Sequence, residues 1–260
     1  MFTGLIEEVG LVLSAEQSAE GSRFTIGASH ILDAATQLGD SIAVDGACMT
    51  VVAFDDKSFS FEASPESLAC TTLGAWQPGR RINLERPLTP ISRIGGHYVT
   101  GHVDGLARLV NKEAQGNSII FSFEVENEAL AELLVPKGSV AILGISLTVN
   151  TVVDRRFQVA IIPHTLTHTS LGDYQIGDRV NIETDLLGKY VQRLLPGNRK
   201  PEGFPEKING DATSAGEPIL DIPALRPATD AIRSASAFGP AQIRTGGWFN
   251  FDDETGAPHD

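Results

Sequence analysis

The chain has 260 residues, with 33 acidic against 20 basic side chains and a formal charge of −13. That length suggests about two domains, and the acidic balance excludes nucleic acid or an anionic membrane as main partner, because phosphate binding needs clustered Lys and Arg. No apolar run reaches the ~18 residues of a membrane-spanning helix, the opening Met-Phe-Thr-Gly-Leu-Ile-Glu-Glu has acids where a secretory leader has bases, and two cysteines, Cys48 and Cys70, make neither a disulfide framework nor a zinc ribbon.

In chain order, residues 41–54 and 58–64 are short runs rich in Val, Ile, Phe and Thr, parted by the turn Asp55-Asp56-Lys57, and read as strands. Gly79 precedes a further strand over 81–85. A junction at 95–105 concentrates polar residues. A short helix is predicted over 127–134, then strands over 139–153, 157–163 and 179–183. Asp185 is a good N-cap for a helix over 185–195. There Leu186, Leu187, Tyr190, Val191, Leu194 and Leu195 form one apolar stripe, which either covers its own domain or meets another subunit. From 196 to 260 the chain holds 8 of its 14 prolines and 8 of its 26 glycines without hydrophobic period, the composition of a disordered tail.

The chain also repeats itself. At a constant offset of 98, Phe59 matches Phe157, Pro65 Pro163, Gly74 Gly172, Gly79 Gly177, Asn83 Asn181 and Glu85 Glu183. The run Ser41-Ile-Ala-Val-Asp-Gly-Ala-Cys-Met-Thr-Val lies over Ser139-Val-Ala-Ile-Leu-Gly-Ile-Ser-Leu-Thr-Val, and Thr3-Gly4 meets Thr100-Gly101 with one residue of slippage. Two tandem homologous domains follow, 1–96 and 97–184, then the helix 185–195 and the tail 196–260. Several strands closely spaced within each copy suit a small closed barrel.

The copies differ where chemistry would sit. Cys48 aligns with Ser146, and Thr50 and Thr148 follow on the same strand face. Thiol and hydroxyl could act as nucleophiles or donors, although a lone cysteine is ordinarily a small core hydrophobe. His97 and His102, five apart, face opposite ways in a strand and lack a set of zinc ligands. His102 replaces Leu5 of the first copy, so the second gains a group able to move a proton. Lys137 is either a solvated turn residue or an anion or carbonyl contact.

Together these residues resemble riboflavin synthases of the duplicated-barrel type. The resemblance spans 1–195 and rests on the opening ten residues, Gly46-Ala-Cys-Met-Thr-Val, Gly95-Gly-His-Tyr-Val-Thr-Gly-His-Val-Asp-Gly, Val135-Pro-Lys-Gly-Ser, Gly144-Ile-Ser-Leu-Thr-Val, Ile162-Pro-His-Thr-Leu and Gly177-Asp-Arg-Val-Asn-Ile-Glu. It implies an all-β fold of two six-stranded Greek-key barrels plus a C-terminal helix, and a cytoplasmic transferase that dismutates two molecules of 6,7-dimethyl-8-ribityllumazine into riboflavin and 5-amino-6-ribitylamino-uracil. It implies no redox cofactor and no metal, a homotrimer with sites between subunits, and lumazine synthase as a conceivable further partner. The family's residues map onto Gly4, Leu5, Ile6, Cys48, Met49, Thr50, Glu62, Ala63, Ser64, Pro65, Glu66 and Ser67, expected around a lumazine on the first barrel. Gly101, His102, Val103, Lys137, Ser146, Leu147, Thr148, Ala160, Ile161, Ile162, Pro163, His164 and Thr165 are expected on the second. Phe2, Ser41 and Asp185 match positions the family associates with activity, and His102 with Ser146 and Thr148 is the expected proton-abstracting group. Cys48 is expected either to add to the substrate or to hold a water that does. The alternative within the same fold is a non-catalytic, antenna-type binder of lumazine or flavin. Two departures stand out: Asp45 where the family usually has Asn, and Leu143 where it commonly has Asp.

Overall fold

A computed structural model describes residues 1–18 and 21–195; the expected tail lies outside the described residues. The first barrel comprises β1 (Glu8–Ser18), β2 (Gly21–Gly27), β3 (Ser41–Val44), β4 (Ala47–Phe54), β5 (Ser58–Ala63) and β6 (Arg81–Glu85), with helix α1 (Pro65–Cys70) between the last two. The second comprises β7 (Gly105–Gln115), β8 (Ser118–Val125), β9 (Ser139–Ile142), β10 (Ile145–Val153), β11 (Arg156–Ile161) and β12 (Arg179–Thr184). Helices α2 (Glu128–Ala131) and α3 (Pro163–His168) interrupt it, and α4 (Leu186–Leu194) follows. Both sheets are closed and antiparallel in the order β1-β2-β5-β4-β3-β6 and its counterpart β7-β8-β11-β10-β9-β12, which is a Greek key: three hairpin neighbours with the earlier strand returning beside them. Bulges recur at matching places, Val12/Ser14 with Leu109/Asn111 and Val51/Ala53 with Val149/Thr151. They bend the strands enough to close so small a barrel.

Alternation along the strands turns one side chain in two inward. Val12, Phe24, Ile26, Val51, Phe59, Phe61, Trp76 and Ile82 fill the first barrel, and Leu109, Phe121, Phe123, Val149, Phe157 and Val180 the second. Aromatic pairs stack at each centre, Phe24 on Phe61 at 5.2 Å and Phe123 on Phe157 at 5.5 Å. The helix expected over 127–134 is a single turn at α2, N-capped by Asn127. α1 and α3 were not expected. Each starts at a proline in its first turn, where the missing N–H costs nothing. α4 begins after Asp185, whose side chain accepts from Leu187 N. Its stripe does not cover the barrel: Leu187, Tyr190, Val191 and Leu194 are all more than half exposed. Polar ties hold the helix instead, Lys189 Nζ to Asp104 at 2.7 Å and Gln192 to Glu132 at 3.1 Å. No helix among the described residues is long and apolar enough to cross a membrane.

The barrels dock through a near two-fold seam. Asn83 Nδ2 donates to Leu143 O at 3.0 Å, and Asn181 Nδ2 donates to Asp45 O at 2.8 Å. In return Ser170 N donates to Asn83 Oδ1 and Thr72 N to Asn181 Oδ1. Gly46 and Gly144 meet on the axis, where a Cβ on Gly46 would lie 2.6 Å from Gly144 N. Asp45 breaks the symmetry. It is fully buried, with Oδ1 accepting from Asn83 N while Oδ2 has no hydrogen-bond partner among the described residues, beside the Ser170 and Tyr174 hydroxyls and the charge of Arg80. Its counterpart, Leu143, is an apolar side chain, equally buried. Burial pushes the Asp45 carboxyl up to about 7, against the opposing pull of its hydrogen bond and Arg80.

The folded protein therefore holds a proton that the unfolded chain releases above about pH 4. Stability is expected to fall as pH rises from about 4 to about 7 and then level off, by about 1.4 kcal/mol per pH unit for this one group. Denaturant unfolding across that range checks it: Asp45→Asn should remove this component of the slope, and an unchanged slope would contradict it.

Candidate functional site

Two leading segments, residues 2–6 and 97–103, run antiparallel across the seam. Phe2 N donates to Val99 O at 2.7 Å and Val99 N to Phe2 O at 3.1 Å. Each segment is clamped by the last acid of its own barrel. Glu85 accepts from Thr3 N, Thr3 Oγ1 and Gly4 N at 2.7, 2.7 and 3.0 Å. Glu183 accepts from Thr100 N, Thr100 Oγ1 and Gly101 N at 2.6, 2.8 and 2.9 Å. Burial raises the Glu85 carboxyl, and the three donors pull it back down.

Beyond the clamp each segment crosses to the other barrel. Cys48 N donates to Gly101 O at 2.8 Å, and Ser146 N to Gly4 O at 2.8 Å. The expected grouping is thereby exchanged. Gly101, His102 and Val103 lie on the first barrel with Cys48, while Gly4 lies on the second with Ser146 and Ile6 packs against the second core. The physical reason is that a segment leading into β1 or β7 is pinned at the end of β6 or β12, and from there its next free backbone partner is the opposite barrel's strand edge.

The first-barrel site is a cavity of about 250 Å³ lined by Cys48, Met49, Glu66, Ser67, Cys70, Thr71, Gly101, His102 and Val103 among others. Cys48 is half-buried and His102 exposed at its rim. Ser64 caps α1, accepting from Ser67 N at 3.2 Å, and so sets the helix that carries Glu66 and Ser67 to the wall. Gly101 needs its glycine: φ is +82°, and a Cβ would stand 2.5 Å from the Cys48 Cβ and 2.9 Å from the Phe2 ring. Phe2 itself is fully buried behind the cavity with Ala43, Val99 and Ala141. Its effect is to hold the 97–103 segment against Cys48. Ser41 pairs with Thr50 across the β3–β4 ladder but opens into a separate cavity of about 500 Å³ shared with Leu5, Arg86 and Arg93. Glu62 faces solvent against Arg23 at 3.4 Å, Ala63 points into the core and Pro65 starts α1.

On the second barrel, half-buried Ser146 and Leu147 and exposed Thr148 lie on β10, with Thr148 opposite Ser139 of β9. Lys137 is exposed on a turn at φ +68°, its N–H on Val149 O. Ala160, Ile162, Pro163 and His164 are exposed, Ile6 and Thr165 half-buried, and Ile161 is core. His164 stacks on His168 one turn later, ring centres 4.0 Å apart. Asp185 caps α4, and its negative charge acts on His97. Nothing at either site gathers three metal-ligating side chains among the described residues. A larger cavity, about 690 Å³, lies at the seam around Arg80 and Tyr174 and holds none of the expected residues. Sequence reasoning missed Cys70 and Thr71 as wall residues, and Glu85 and Glu183 as clamps. The two glutamates were visible only as an identical pair in the repeat.

The lumazine binding domain family matches residues 3–87 and again 100–185. Curated relatives include the riboflavin synthase of Bacillus subtilis, 39% identical over 75% of this chain and 90% of that protein. That of Photobacterium phosphoreum is 39% identical over 81% and 96%, and that of Brucella abortus 44% over 75% and 98%. Among solved structures, LumP complexed with 6,7-dimethyl-8-(1'-D-ribityl) lumazine matches with a TM-score of 0.64 at 21% identity, over 71% of this chain and 99% of that one. LumP complexed with riboflavin gives 0.65 at 22%, with the same coverage. These last two bear on the fold alone.

Phe2→Ala would remove a fully buried ring from behind Cys48, at a cost of about 3–5 kcal/mol of folding free energy. Denaturant unfolding checks it; a loss below about 1 kcal/mol would mean the ring is not what holds the two segments.

Proposed function

The chain belongs to the riboflavin synthase family, an enzyme family, and we propose that its two barrels divide the transfer of a four-carbon unit between two molecules of 6,7-dimethyl-8-ribityllumazine. The reaction balances without an external oxidant: two lumazines give one riboflavin and one 5-amino-6-ribitylamino-uracil. It needs a base for the C7-methyl proton of one lumazine, a nucleophile to add at C7 of the other, and donors for the charge that spreads over both rings. The observation that carries the reading is the cavity shared by Cys48 and His102. There Cys48, or a water on it, adds at C7 of the lumazine in the cavity, and His102, exposed at the rim, takes the C7-methyl proton of the second lumazine. Ser146 and Thr148, with Lys137 at the edge, face the second lumazine as hydroxyl and ammonium partners. Donor and acceptor thus sit on homologous surfaces whose reactive positions differ, thiol against hydroxyl.

We further propose a homotrimer in which the first barrel of one subunit meets the second barrel of another. The support is α4. Leu187, Tyr190, Val191 and Leu194, at successive 3- and 4-residue steps, expose their apolar face while Lys189 and Gln192 tie the other side to the barrel. Such a stripe is the pattern of a helix–helix seam.

Purified protein given the lumazine alone should yield riboflavin at half the molar amount consumed; binding without riboflavin would move the chain to the antenna-type reading. His102→Ala should lower kcat about a hundredfold or more with little change in lumazine affinity, and equal losses in both would make His102 a binding residue. Leu187→Asp combined with Leu194→Asp should convert trimers to monomers in sedimentation and abolish turnover. A doubly substituted protein that stays trimeric removes α4 from the interface.

A further inference from the structure

The first histidine of the junction, His97, takes no part in the reaction proposed above, yet it is the more tightly held. His97 Nδ1 lies 2.7 Å from Ser146 Oγ, and the His97 backbone N–H donates to Thr3 O at 3.1 Å. The preceding Gly96 is pressed on the same serine, where a Cβ would come within 2.7 Å of the Ser146 Cβ. His97 is 9% exposed, and its Nε2 is buried without a hydrogen-bond partner among the described residues. Burial lowers its pKa while the charge of Asp185 opposes that fall, so the ring is neutral near pH 7.

The place of the residue becomes intelligible through the exchanged segments. Ser146 is the repeat partner of Cys48. His102 lines the Cys48 cavity and His97 holds Ser146, so one stretch of seven residues delivers an imidazole to the reactive position of each barrel. Five residues of separation in an extended chain turn the two rings to opposite sides.

We propose that His97 is a positioning residue for Ser146, fixing its hydroxyl proton through Nδ1 so that Oγ meets the second-barrel lumazine as a directed acceptor. In the tautomer with the proton on Nε2, Nδ1 accepts from the serine O–H. The serine lone pairs then face outward. Its backbone N–H is already committed to Gly4 O, which anchors the strand from which the side chain departs. This rests on the proposed role of Ser146 in the preceding section.

The test is a double-mutant cycle with an isosteric rescue. His97→Ala and Ser146→Ala should each lower kcat about tenfold with KM changed less than threefold, and the double variant should be no worse than either alone. His97→Asn, whose amide oxygen reaches the place of Nδ1, should recover most of the loss. Thermal unfolding run beside the kinetics keeps folding defects apart from catalysis. Additive losses, no rescue by Asn, or a drop in melting temperature with kcat intact would each overturn the proposal. If the wild-type protein binds lumazine without making riboflavin, the catalytic reading fails alone. The same cycle is then read in lumazine affinity, where coupled losses support the His97–Ser146 unit and additive losses overturn it.

Discussion

The reciprocal exchange of asparagine side chains across the seam governs the rest of the molecule. Asn83 and Asn181 each use both ends of the amide, donating to a turn carbonyl and accepting a backbone N–H from the other barrel. Four hydrogen bonds between buried partners leave no water to substitute for them, and an unmatched group there would cost roughly 1–3 kcal/mol. Only a narrow range of approach satisfies all four at once. Gly46 and Gly144 permit that approach, because their left-handed turns carry no side chain into the axis. The seam then fixes where the ends of β6 and β12 lie, and through Glu85 and Glu183 where the two leading segments begin.

From that constraint the composition of each site follows. A clamp of three donors on one carboxylate holds the Thr-Gly pair of each segment, and the next carbonyl reaches over to the other barrel. Neither site is built by one repeat alone. Cys48 is framed by residues of the second copy, and Ser146 by residues of the first copy and the junction. A duplication whose copies trade their leading segments can hold two molecules of one substrate in related places while changing the chemistry of each. Substitutions in one segment alter the opposite barrel and leave its own core intact.

Much of this was legible beforehand. The constant offset of 98 announced two barrels, and the strand runs at 41–54 and 139–153 lie where β3–β4 and β9–β10 do. The polar pairs Asn83/Asn181 and Glu85/Glu183 were visible as identities, but identity cannot tell a core-facing asparagine from one that crosses an interface. The exchange of segments was not legible, because alignment places Gly4 beside its own copy and says nothing of backbone partners far away in the chain, such as Gly101 for Cys48 and Ser146 for Gly4. The α1 and α3 turns escaped notice because six residues are too few to show a period; only Ser64-Pro65 and Ile162-Pro163 mark their starts. The α4 stripe was plain as a stripe, and its direction was set by two polar ties that no periodicity reveals.

The asymmetry at the seam shows how far the copies have been free to part. On one side Leu143 occupies its turn as an apolar side chain. On the other, Asp45 shares the space with Arg80, whose guanidinium sits between the Trp76 and Tyr174 rings and donates to the Tyr174 hydroxyl at 2.6 Å. Arg80 Nε, Ser170 Oγ and Asp45 Oδ2 are buried there without hydrogen-bond partners among the described residues. Apolar groups of similar volume would hold such a spot at no loss of stability, so charge here does not add to cohesion. A first barrel turned against another first barrel would set the Asp45 carboxyl against Trp76 and Thr72 in place of Tyr174 and Ser170, with an indole N–H where the Tyr174 phenol accepts from Arg80. The pairing of unlike barrels therefore sets the buried acid beside two hydroxyls, and the two faces of the seam are no longer interchangeable.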